Sequence, residues 1–379
     1  MASKQKIAFV ANTSWSIYKF RLYLIKKLTE NGFAIFVLAP RDAYTAQFES
    51  LPGITYIELR HLRAKTISPW QDTLLCRELW RHYRSIQPDL IFHYTIKANT
   101  FGTWAAALAR IPSISVITGL GYTFTKKNWL QFAVKLLYKI TVVFSREVWF
   151  LNEDDRHIFI TKKLVRPQKT FLLPGEGVDT RAFFPVPYDK GKKEVTFLLI
   201  GRIIRQKGIY EFVEAAQLLR QQGLSVSCQL LGFADDNSRV AIGRQEVDVW
   251  TNSGLITYLG DTDQVAPFIE QADCIVLPSY REGLPLSLLE GASMCKALIA
   301  TDTAGCRDLI DDGVNGYLCR ERDGAHLAEK MATYYHLPAD AKKQMGIAGR
   351  NKVLAGFTQE KVTGIYLEKI HSLRVTGIE

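Results

Sequence analysis

The stretch DCIVLPSYREGLPLSLLEG, residues 273–291, has the order of a strand, a loop and a helix. Its first part is an apolar run of strand length. Pro285 suits the first turn of the helix that follows, because its missing N–H would be unpaired there in any case. The free N–H groups of such a turn and the positive end of the helix dipole favour an anion. The stretch therefore predicts an anion-binding helix start between two carboxylates, Glu282 and Glu290.

Apolar runs of strand length alternate with amphipathic helical patterns along the whole chain. The first series is KIAFVAN, AIFVLAP, TYIEL, DLIFHY, SISVITG and EVWFLN, and the second is VTFLLIG, SCQLLG, ITYLG, DCIVLPS, ALIAT and GYLC. Strands that alternate with helices predict parallel strands joined by crossovers. The segment between the two series is rich in Pro, Gly and charge, which is typical of a linker. The sequence thus predicts an α/β protein with two Rossmann-like, doubly wound domains.

The length of 379 residues and the hydrophobic content of 47% agree with two domains of ordinary size. We predict an N-terminal domain over 1–172, a linker over 173–193, a second domain over 194–357, and a C-terminal helix over 358–379 that returns to the first domain. Ligands of open parallel sheets bind outside the carboxyl ends of the strands. We therefore expect the site in a cleft between the two facing domains.

The positive charge is concentrated in the first half. Residues 1–180 contain 25 Lys and Arg against 13 Asp and Glu, a net charge of +12. The whole chain has a net charge of +10, so the remaining residues carry −2. This asymmetry is explained either by general solubility or by an anionic partner of the first half, such as lipid head groups or nucleic acid. Composition does not choose between these alternatives.

The six cysteines form no C-x-x-C pair and most lie in apolar runs, which predicts reduced thiols and a cytoplasmic protein. The apolar run at the N-terminus is too short for a signal peptide, and no stretch approaches the roughly 20 apolar residues of a membrane-spanning helix. We expect a soluble or peripheral protein. No D-x-D motif or histidine cluster has metal-ligand spacing, so the sequence implies no metal.

The strand VTFLLIG ends at Gly201, and Arg202 and Lys207 follow before the next helix. Two cations at the carboxyl end of a strand, beside a helix start, suit a diphosphate. Solvated surface charges are the alternative.

In the opening stretch, the N–H groups around Gly283 and Leu284 would bind the same anion as these cations. Glu290 would accept hydrogen bonds from vicinal hydroxyls such as those of a ribose, and Glu282 would face a reacting sugar; solvated or capping carboxylates are the alternative.

The two glutamates spaced E-x7-E, with LPSYREGLP around them and GRIIRQKG upstream, resemble the motifs of family 4 of the retaining glycosyltransferases. GVDTRAFFP at the predicted linker extends the resemblance. It implies the GT-B fold, a nucleotide-sugar donor, binding of the donor diphosphate by Arg202 and Lys207, and binding of the ribose by Glu290. It also implies that Glu282 faces the anomeric carbon and that TDTAGCRDLI, residues 301–310, lies near the donor.

The first half adds a narrower resemblance. SIYKFRLYLIKKL, IKANTFGTWAA and TGLGYTF are similar to segments of bacterial N-acetylgalactosaminyltransferases that act on polyprenyl-diphosphate-linked amino sugars. This resemblance implies transfer of a hexose or N-acetylhexosamine, best GalNAc, from a UDP-sugar to a lipid-linked sugar in surface polysaccharide or glycan assembly. The acceptor-side residues that it implies are Ser14, Tyr18, Arg21, His93, Lys97, Asn99, Gly119 and Tyr122.

The chain lacks the histidine that many family members place after a central strand of the first domain. His93, at the end of DLIFHY, is either a substitute proton acceptor or a structural residue. A retaining transfer can also pass the acceptor proton to the departing diphosphate, with Arg202 and Lys207 stabilising the growing charge. On this reading no cofactor is required.

Residues 126–144, KKNWLQFAVKLLYKITVVF, mix lysines with apolar side chains such as Trp129 and Phe132. Such a pattern indicates contact with an anionic membrane surface, here the cytoplasmic face of the inner membrane, or an ordinary crossover helix. A nucleotide-sugar epimerase and a non-catalytic nucleotide-sugar-binding partner are alternative functions. A nucleic-acid binder is disfavoured because no recognition module is present, and a dehydrogenase because no G-x-G-x-x-G follows the first strand.

Overall fold

The structure is a computed structural model that describes residues 4–63, 68–120, 129–186, 194–234 and 241–375, with only the backbone for 129–133, 374 and 375. The chain divides into two compact units. Unit 1 comprises Met1–Glu176 and Glu360–Glu379, and unit 2 comprises Gly177–Gln359. The first division falls inside the segment predicted as the linker, and the second falls at the start of the last helix.

Unit 1 is built on a parallel sheet of seven strands in the order β3-β2-β1-β4-β5-β6-β7. This order reverses direction between β1 and β4, as in other doubly wound sheets. The strands are β1 Lys6–Val10, β2 Ala34–Ala39, β3 Ile54–Glu58, β4 Leu90–Tyr94, β5 Ser113–Ile117, β6 Glu147–Phe150 and β7 Thr170–Leu172.

Helices cover the sheet of unit 1 and begin at recognisable caps. The Thr13 side chain accepts the N–H of Ser16 at the start of the first helix, and the Asn152 side chain accepts that of Asp155. The helices are α1 Ser14–Glu30, α2 Thr45–Glu49, α3 Pro69–Ile86, α4 Thr103–Ala109, α5 Trp129–Thr141 and α6 Glu153–Thr161, and the last helix of the chain is α14 Gln359–Val375.

Unit 2 is built on a second parallel sheet, of six strands in the order β10-β9-β8-β11-β12-β13. Both sheets are parallel, as the alternation of strands and helices predicts. The strands are β8 Val195–Ile200, β9 Val226–Leu231, β10 Thr257–Tyr258, β11 Cys274–Leu277, β12 Ala297–Thr301 and β13 Gly316–Cys319.

The helices of unit 2 enclose two apolar clusters, one on each face of its sheet. Because both faces are covered, the central strands β8, β11 and β12 are almost wholly apolar and buried. The helices are α7 Ile209–Gln221, α8 Arg244–Asn252, α9 Ala266–Gln271, α10 Leu286–Ser293, α11 Cys306–Leu309, α12 Gly324–His336 and α13 Ala339–Gly356. In the part of the chain that the structure describes, none of the helices has both the length and the apolar character needed to span a bilayer.

Helix α14 packs against unit 1 through a buried aromatic group. The Tyr366 ring lies 5.1 Å from Phe92 and 5.0 Å from Trp149, between ring centroids. Its hydroxyl is 3.0 Å from that of Tyr94, at the end of β4. Large aromatic side chains dominate core energetics because each buries a large area. The last helix of the chain is therefore part of the core of unit 1.

A buried charge lies beside this aromatic group. The Arg21 guanidinium on α1 is 3.7 Å from the centroid of the Tyr94 ring, donates to the Ser16 carbonyl at 3.0 Å and forms an ion pair with Glu176. Arg21 is only 3% exposed. Burial raises the pKa of the Glu176 carboxyl, and the nearby guanidinium acts in the opposite direction. The pair ties α1 to the last residue of the first segment of unit 1.

We predict that Arg21→Met lowers the free energy of unfolding of unit 1 by about 3–5 kcal/mol, because it leaves the Glu176 carboxylate buried without its cation. The double variant Arg21→Met/Glu176→Leu should recover most of this loss, since an apolar pair of similar volume needs no compensating charge. Tryptophan fluorescence during denaturation measures unit 1, which contains six of the seven tryptophans. Additive losses in the double variant would contradict the prediction.

Candidate active site

The loop after β8 begins the candidate site in unit 2. It runs through Gly201 and Arg202 into a 3-10 turn, Arg205–Lys207, and reaches α7 at Gly208. Gly208 has φ +72, and a Cβ there would lie 2.0 Å from the Pro278 carbonyl oxygen. A side chain is excluded on both counts. The loop therefore lies directly against the backbone that follows β11.

Three strand ends are joined at this point. The Ser279 hydroxyl and the Tyr280 N–H both donate to the Gln206 carbonyl, at 3.0 and 2.9 Å. The Thr301 hydroxyl, at the end of β12, donates to the Ser279 carbonyl. These bonds join residues that are far apart in the sequence, so the loops after β8 and β11 form one platform, supported by the end of β12.

Lys207 and Glu282 meet on this platform as an ion pair. The Lys207 Nζ is 2.5 Å from Glu282 Oε1, and the two side chains are 19% and 14% exposed. The neighbouring Arg202 is exposed and has no ion-pair partner among the residues that the structure describes. The structure thus brings together the cation that the sequence predicts for the donor diphosphate and the carboxylate that it predicts for the donor sugar.

Helix α10 begins one residue later than the sequence predicts. Pro285 has extended backbone angles and is the N-cap, so Leu286 is the first helical residue. The φ angle that proline imposes suits extended backbone as well as helix, and at Pro285 the backbone is extended. Glu290 is 5% exposed on this helix and has a partner within the protein. Gly283 and Leu284 precede the cap and are half-buried.

The segment TDTAGCRDLI lies against the same loop. Gly305 has φ +77, and a Cβ there would lie 2.4 Å from the Gly283 carbonyl oxygen. Cys306 is fully buried next to it, and burial raises the pKa of its thiol. Contact of the two backbones fixes the loop that precedes α10. The segment therefore supports the platform from the side of β12.

Chemically, the platform is suited to an anion with a neighbouring polyol. Arg202 and Lys207 offer cationic donors, and the start of α10 offers free N–H groups with the positive end of a helix dipole. Glu282 and Glu290 contribute two carboxylates, of which Glu282 is paired with Lys207 and Glu290 is buried with a partner within the protein. Over the described ranges, no group of three or more His, Cys, Asp or Glu side chains has the arrangement of a metal site.

Several acceptor-side candidates of unit 1 are engaged within the unit. The Ser14 hydroxyl is fully buried and donates to the Pro40 carbonyl at 2.9 Å. The Tyr18 ring is half-buried against Tyr44, 5.3 Å between centroids. Arg21 belongs to the buried pair described above. In the structure these three side chains anchor the first half of α1 to the rest of unit 1.

The segment after β4 is irregular and contains two more candidates. Lys97 forms an ion pair with Asp72 at 2.7 Å, and the Asn99 side chain donates to the Val116 carbonyl at 3.0 Å. Thr95 has φ +73, and Ala98–Gly102 forms a π-helical turn. Irregular turns of this kind are frequent at functional sites. Gly119 is half-buried in the loop after β5, and the predicted Tyr122 lies outside the described residues.

His93 lies in the core at the end of β4. Its side chain is fully buried, its Nε2 is 2.9 Å from the Tyr83 hydroxyl, and its Nδ1 is 3.4 Å from that of Thr103. Desolvation lowers the pKa of the imidazole to about 3. A side chain that water and substrate cannot reach is poorly suited to proton transfer, so the structural alternative is favoured.

Sequence reasoning did not identify the residues that hold the platform together. These are Gln206, whose carbonyl accepts two hydrogen bonds, Gly305, and the pair Tyr280 and Glu211. Tyr280 and Glu211 are next to predicted site motifs, but their hydrogen bond joins segments 69 residues apart. The only available signal was the glycine in TAGC, which follows a predicted strand end.

Two family models match the chain. The model of the glycosyl transferase 4-like group matches residues 6–150, and that of the glycosyl transferases group 1 matches residues 194–336. The first match covers six of the seven strands of the unit 1 sheet, and the second covers all six strands of the unit 2 sheet.

Characterised relatives agree with these matches. The N,N'-diacetylbacillosaminyl-diphospho-undecaprenol alpha-1,3-N-acetylgalactosaminyltransferase of Campylobacter jejuni is 29% identical over 90% of this chain and 92% of its own length. The UDP-Gal:alpha-D-GlcNAc-diphosphoundecaprenol alpha-1,3-galactosyltransferase of Escherichia coli is 24% identical over 81% of this chain and 82% of its own.

Solved structures share the fold. Sucrose-phosphate synthase of Thermosynechococcus elongatus aligns with a TM-score of 0.81 at 18% identity, over 99% of this chain and 100% of the other. Anabaena HepE in complex with UDP and glucose aligns with a TM-score of 0.77 at 18% identity, over 97% and 100%. The chain is therefore a glycosyltransferase whose first part belongs to the glycosyl transferase 4-like group and whose second part belongs to the glycosyl transferases group 1, with the GT-B fold class. The predicted fold class and enzyme class are therefore confirmed.

We predict that buried His93 makes stability depend on pH. Its folded pKa of about 3 lies below the ordinary 6.5, so the unfolded chain binds the proton more readily. Stability from this group is complete above pH 6.5 and is lost as the pH falls from 6.5 towards about 3. The wild type should therefore lose more stability between pH 7 and 4.5 than His93→Asn, measured by chemical denaturation. Parallel losses in the two proteins would show that His93 titrates normally.

Proposed function

We propose that this glycosyltransferase is a retaining enzyme that moves a sugar from a UDP-sugar to a polyprenyl-diphosphate-linked sugar, in the assembly of a bacterial surface polysaccharide or glycan. The observation that carries the proposal is the Lys207–Glu282 pair, with Arg202 exposed beside it and the start of α10 next to it. Such a cluster offers cations to a diphosphate and a carboxylate to the sugar attached to it.

We propose distinct roles for the site residues. Arg202 and Lys207 bind the diphosphate, with the N–H groups around Gly283 and Leu284 and the backbone at Gly201 and Pro285 shaping the same pocket. Glu290 accepts hydrogen bonds from the ribose hydroxyls. Glu282 orients a sugar hydroxyl or favours positive character at the anomeric carbon. Binding the donor would require Lys207 to exchange Glu282 for phosphate oxygens.

In the proposed reaction the bond between the anomeric carbon and the diphosphate oxygen breaks, and the acceptor hydroxyl oxygen bonds to the same face of the sugar. The acceptor proton passes to the departing diphosphate oxygen, so the products are UDP and the elongated lipid-linked sugar. The protein contributes positioning and stabilisation of the developing charge. No protein base, metal or other cofactor is required in this scheme, which turnover in the presence of a chelator can test.

The sugars are proposed from the relatives. The Campylobacter relative is named for transfer of N-acetylgalactosamine, and the Escherichia relative for transfer of galactose from UDP-Gal; both are named for undecaprenol-diphosphate acceptors. We therefore propose UDP-GalNAc as donor and an undecaprenyl-diphosphate amino sugar as acceptor. A panel of UDP-sugars with a short-chain polyprenyl diphosphate sugar tests both choices, with release of UDP and mass of the lipid product as readouts.

A lipid-linked acceptor requires the enzyme to work at a membrane, and unit 1 has a surface suited to one. Leu136, Ile140, Val143 and Phe144 are 48%, 47%, 66% and 55% exposed. The spacing i, i+4, i+7 and i+8 places them on one face of α5 and the turn after it. We call these four residues the apolar stripe. Monomeric proteins rarely leave such a contiguous apolar surface in water without a use.

Cations flank the apolar stripe. Lys135 and Lys139 lie on the same helix, and the pKa of Lys135 is lowered by partial desolvation and by the nearby Lys162 ammonium. Lys162 and Lys163 follow α6 and are exposed. An apolar face bordered by lysines is typical of helices that lie on anionic membranes. We therefore propose that unit 1 binds the anionic inner membrane peripherally, on its cytoplasmic face, and binds no nucleic acid.

The predicted contacts at Lys126, Lys127, Trp129 and Phe132 fall on residues or side chains outside those described.

We predict that Arg202→Ala and Lys207→Ala each lower kcat by about 10²-fold, because both cations meet charge that grows during transfer. Glu290→Ala should instead weaken UDP binding, through loss of hydrogen bonds worth roughly 1.5–3 kcal/mol each. The matched control is Arg244→Ala, which removes an exposed cation of unit 2 paired with Asp248. Turnover and UDP calorimetry are measured on all four. Full activity of folded Arg202→Ala and Lys207→Ala would contradict the proposed roles.

We predict that the protein binds vesicles with acidic lipids and that Lys135→Gln/Lys139→Gln/Lys162→Gln weakens this binding. Each basic residue near such a surface contributes about 1 kcal/mol, and the contribution fades with salt over roughly 8–10 Å of screening length. Val143→Ser/Phe144→Ser should weaken binding to the same vesicles in a salt-independent way. The control is Leu108→Ser, at an apolar residue of unit 1 that is 70% exposed outside the apolar stripe. Unchanged vesicle sedimentation in both multiple variants would exclude this surface.

A further inference from the structure

Two side-chain contacts join the same two segments at the candidate active site. The first is the Lys207–Glu282 ion pair at 2.5 Å. In the second, the Tyr280 hydroxyl donates to Glu211 Oε1 at 2.8 Å. Lys207 and Glu211 flank the start of α7, and Tyr280 and Glu282 lie two residues apart in the loop after β11. The two contacts therefore form parallel ties between α7 and that loop.

The Glu211 carboxylate is held in an unfavourable environment. Its Oε2 is buried and accepts no hydrogen bond from any of the residues that the structure describes. A buried carboxylate oxygen without a donor costs free energy, and the Tyr280 hydroxyl offsets this cost only at the other oxygen. Departures from local stability rules are expected at functional sites. Among the described residues, removal of the Tyr280 hydroxyl would therefore leave the Glu211 carboxylate without a hydrogen-bond donor.

The Tyr280 ring is fixed from a second direction. The Arg322 guanidinium, after β13, lies 4.6 Å from the ring centroid. The Tyr280 N–H is bonded to the Gln206 carbonyl at 2.9 Å. Backbone, ring and hydroxyl of Tyr280 thus each have a partner on a different segment. The side chain is a rigid spacer two residues before Glu282.

The two ties differ in what happens when a donor binds. The proposed diphosphate attracts Lys207, which must then give up its bond to Glu282. The hydrogen bond between Tyr280 and Glu211 joins a hydroxyl to a carboxylate. Neither group is a cation that the diphosphate would attract, so this bond can persist. We propose that the Tyr280–Glu211 hydrogen bond keeps the loop of Glu282 in register with the start of α7 while the Lys207–Glu282 pair is open.

Tyr280 and Glu211 are, on this proposal, positioning residues for sugar transfer, and the inference rests on the proposed roles of Lys207 and Glu282. They need not touch the donor. Their effect is exerted on the direction of the Glu282 carboxylate, and small misplacements of a reacting group can reduce rates by orders of magnitude. The loss should therefore fall on kcat, whereas binding of UDP depends on other residues.

The test is Tyr280→Phe, which removes only the hydroxyl. We expect kcat to fall about 10-fold or more, as for a misplaced catalytic group, with little change in the Kd of UDP. Tm should also fall, because Glu211 is left buried without its donor. Glu211→Gln keeps an acceptor oxygen for the Tyr280 hydroxyl and should retain most of the wild-type kcat. The matched control is Tyr210→Phe, whose hydroxyl donates to Glu246 at 3.1 Å on α8 and should leave kcat unchanged.

The double variant Tyr280→Phe/Glu211→Met separates positioning from stability. It removes the buried carboxylate together with its donor, so Tm should recover while kcat stays low. Recovery of both Tm and kcat would overturn the proposal, because the bond would then be merely structural. A kcat of Tyr280→Phe equal to that of Tyr210→Phe would overturn it as well.

Glu282→Ala, assayed in parallel, keeps the two levels of proposal distinguishable. If Glu282→Ala loses turnover and Tyr280→Phe does not, only the positioning role fails. If folded Glu282→Ala turns over like the wild type, the proposed role of Glu282 fails, and the positioning role fails with it.

Discussion

The candidate active site depends on one steric constraint, the contact between the backbone at Gly208 and the carbonyl of Pro278. Adjacent parallel strands bring their carboxyl ends to one edge of a sheet, but they do not by themselves bring the following loops into contact. The positive φ of Gly208 turns the chain into α7 at the distance of van der Waals contact. In this geometry Lys207 reaches Glu282, and the Gln206 carbonyl accepts its two hydrogen bonds.

Unit 1 shows a different use of polar residues at strand ends. The Arg21–Glu176 pair and the chain of hydrogen bonds from Tyr83 through His93 to Thr103 are buried, and their partners lie within the unit. Thr103 continues this chain to the Ser115 hydroxyl at 3.1 Å. The buried Arg21 Nε has no hydrogen-bond partner among the described residues, whereas the side chains of Tyr83, His93 and Thr103 are bonded to one another, and satisfied buried networks of that kind make a core rigid. Together with the contacts of Tyr366, these residues fix α1, β4 and α14 within unit 1.

The fold could be predicted from the sequence because alternation of apolar runs with amphipathic patterns determines parallel sheets. The site was predicted less completely. Glu282 and Lys207 could be placed at strand ends, yet their ion pair spans 75 residues and depends on the conformation of Gly208. For the acceptor-side residues, local patterns gave the end of a strand but not the direction of a side chain. The sequence therefore assigns Ser14 to the acceptor side and leaves His93 open between a proton acceptor and a structural residue, whereas both side chains are fully buried.

The two ends of unit 2 are hydrogen-bonded to each other. The Val178 N–H donates to the Phe357 carbonyl at 2.9 Å, and the Gln359 N–H donates to the Val178 carbonyl at 3.1 Å. The whole of unit 2 is thus a continuous insertion whose first and last residues are neighbours. Segments with adjacent ends can be inserted into or exchanged between host proteins with little disturbance. For exchange of this unit among related transferases, in evolution or in the laboratory, the short paired junction is a natural pair of crossover points.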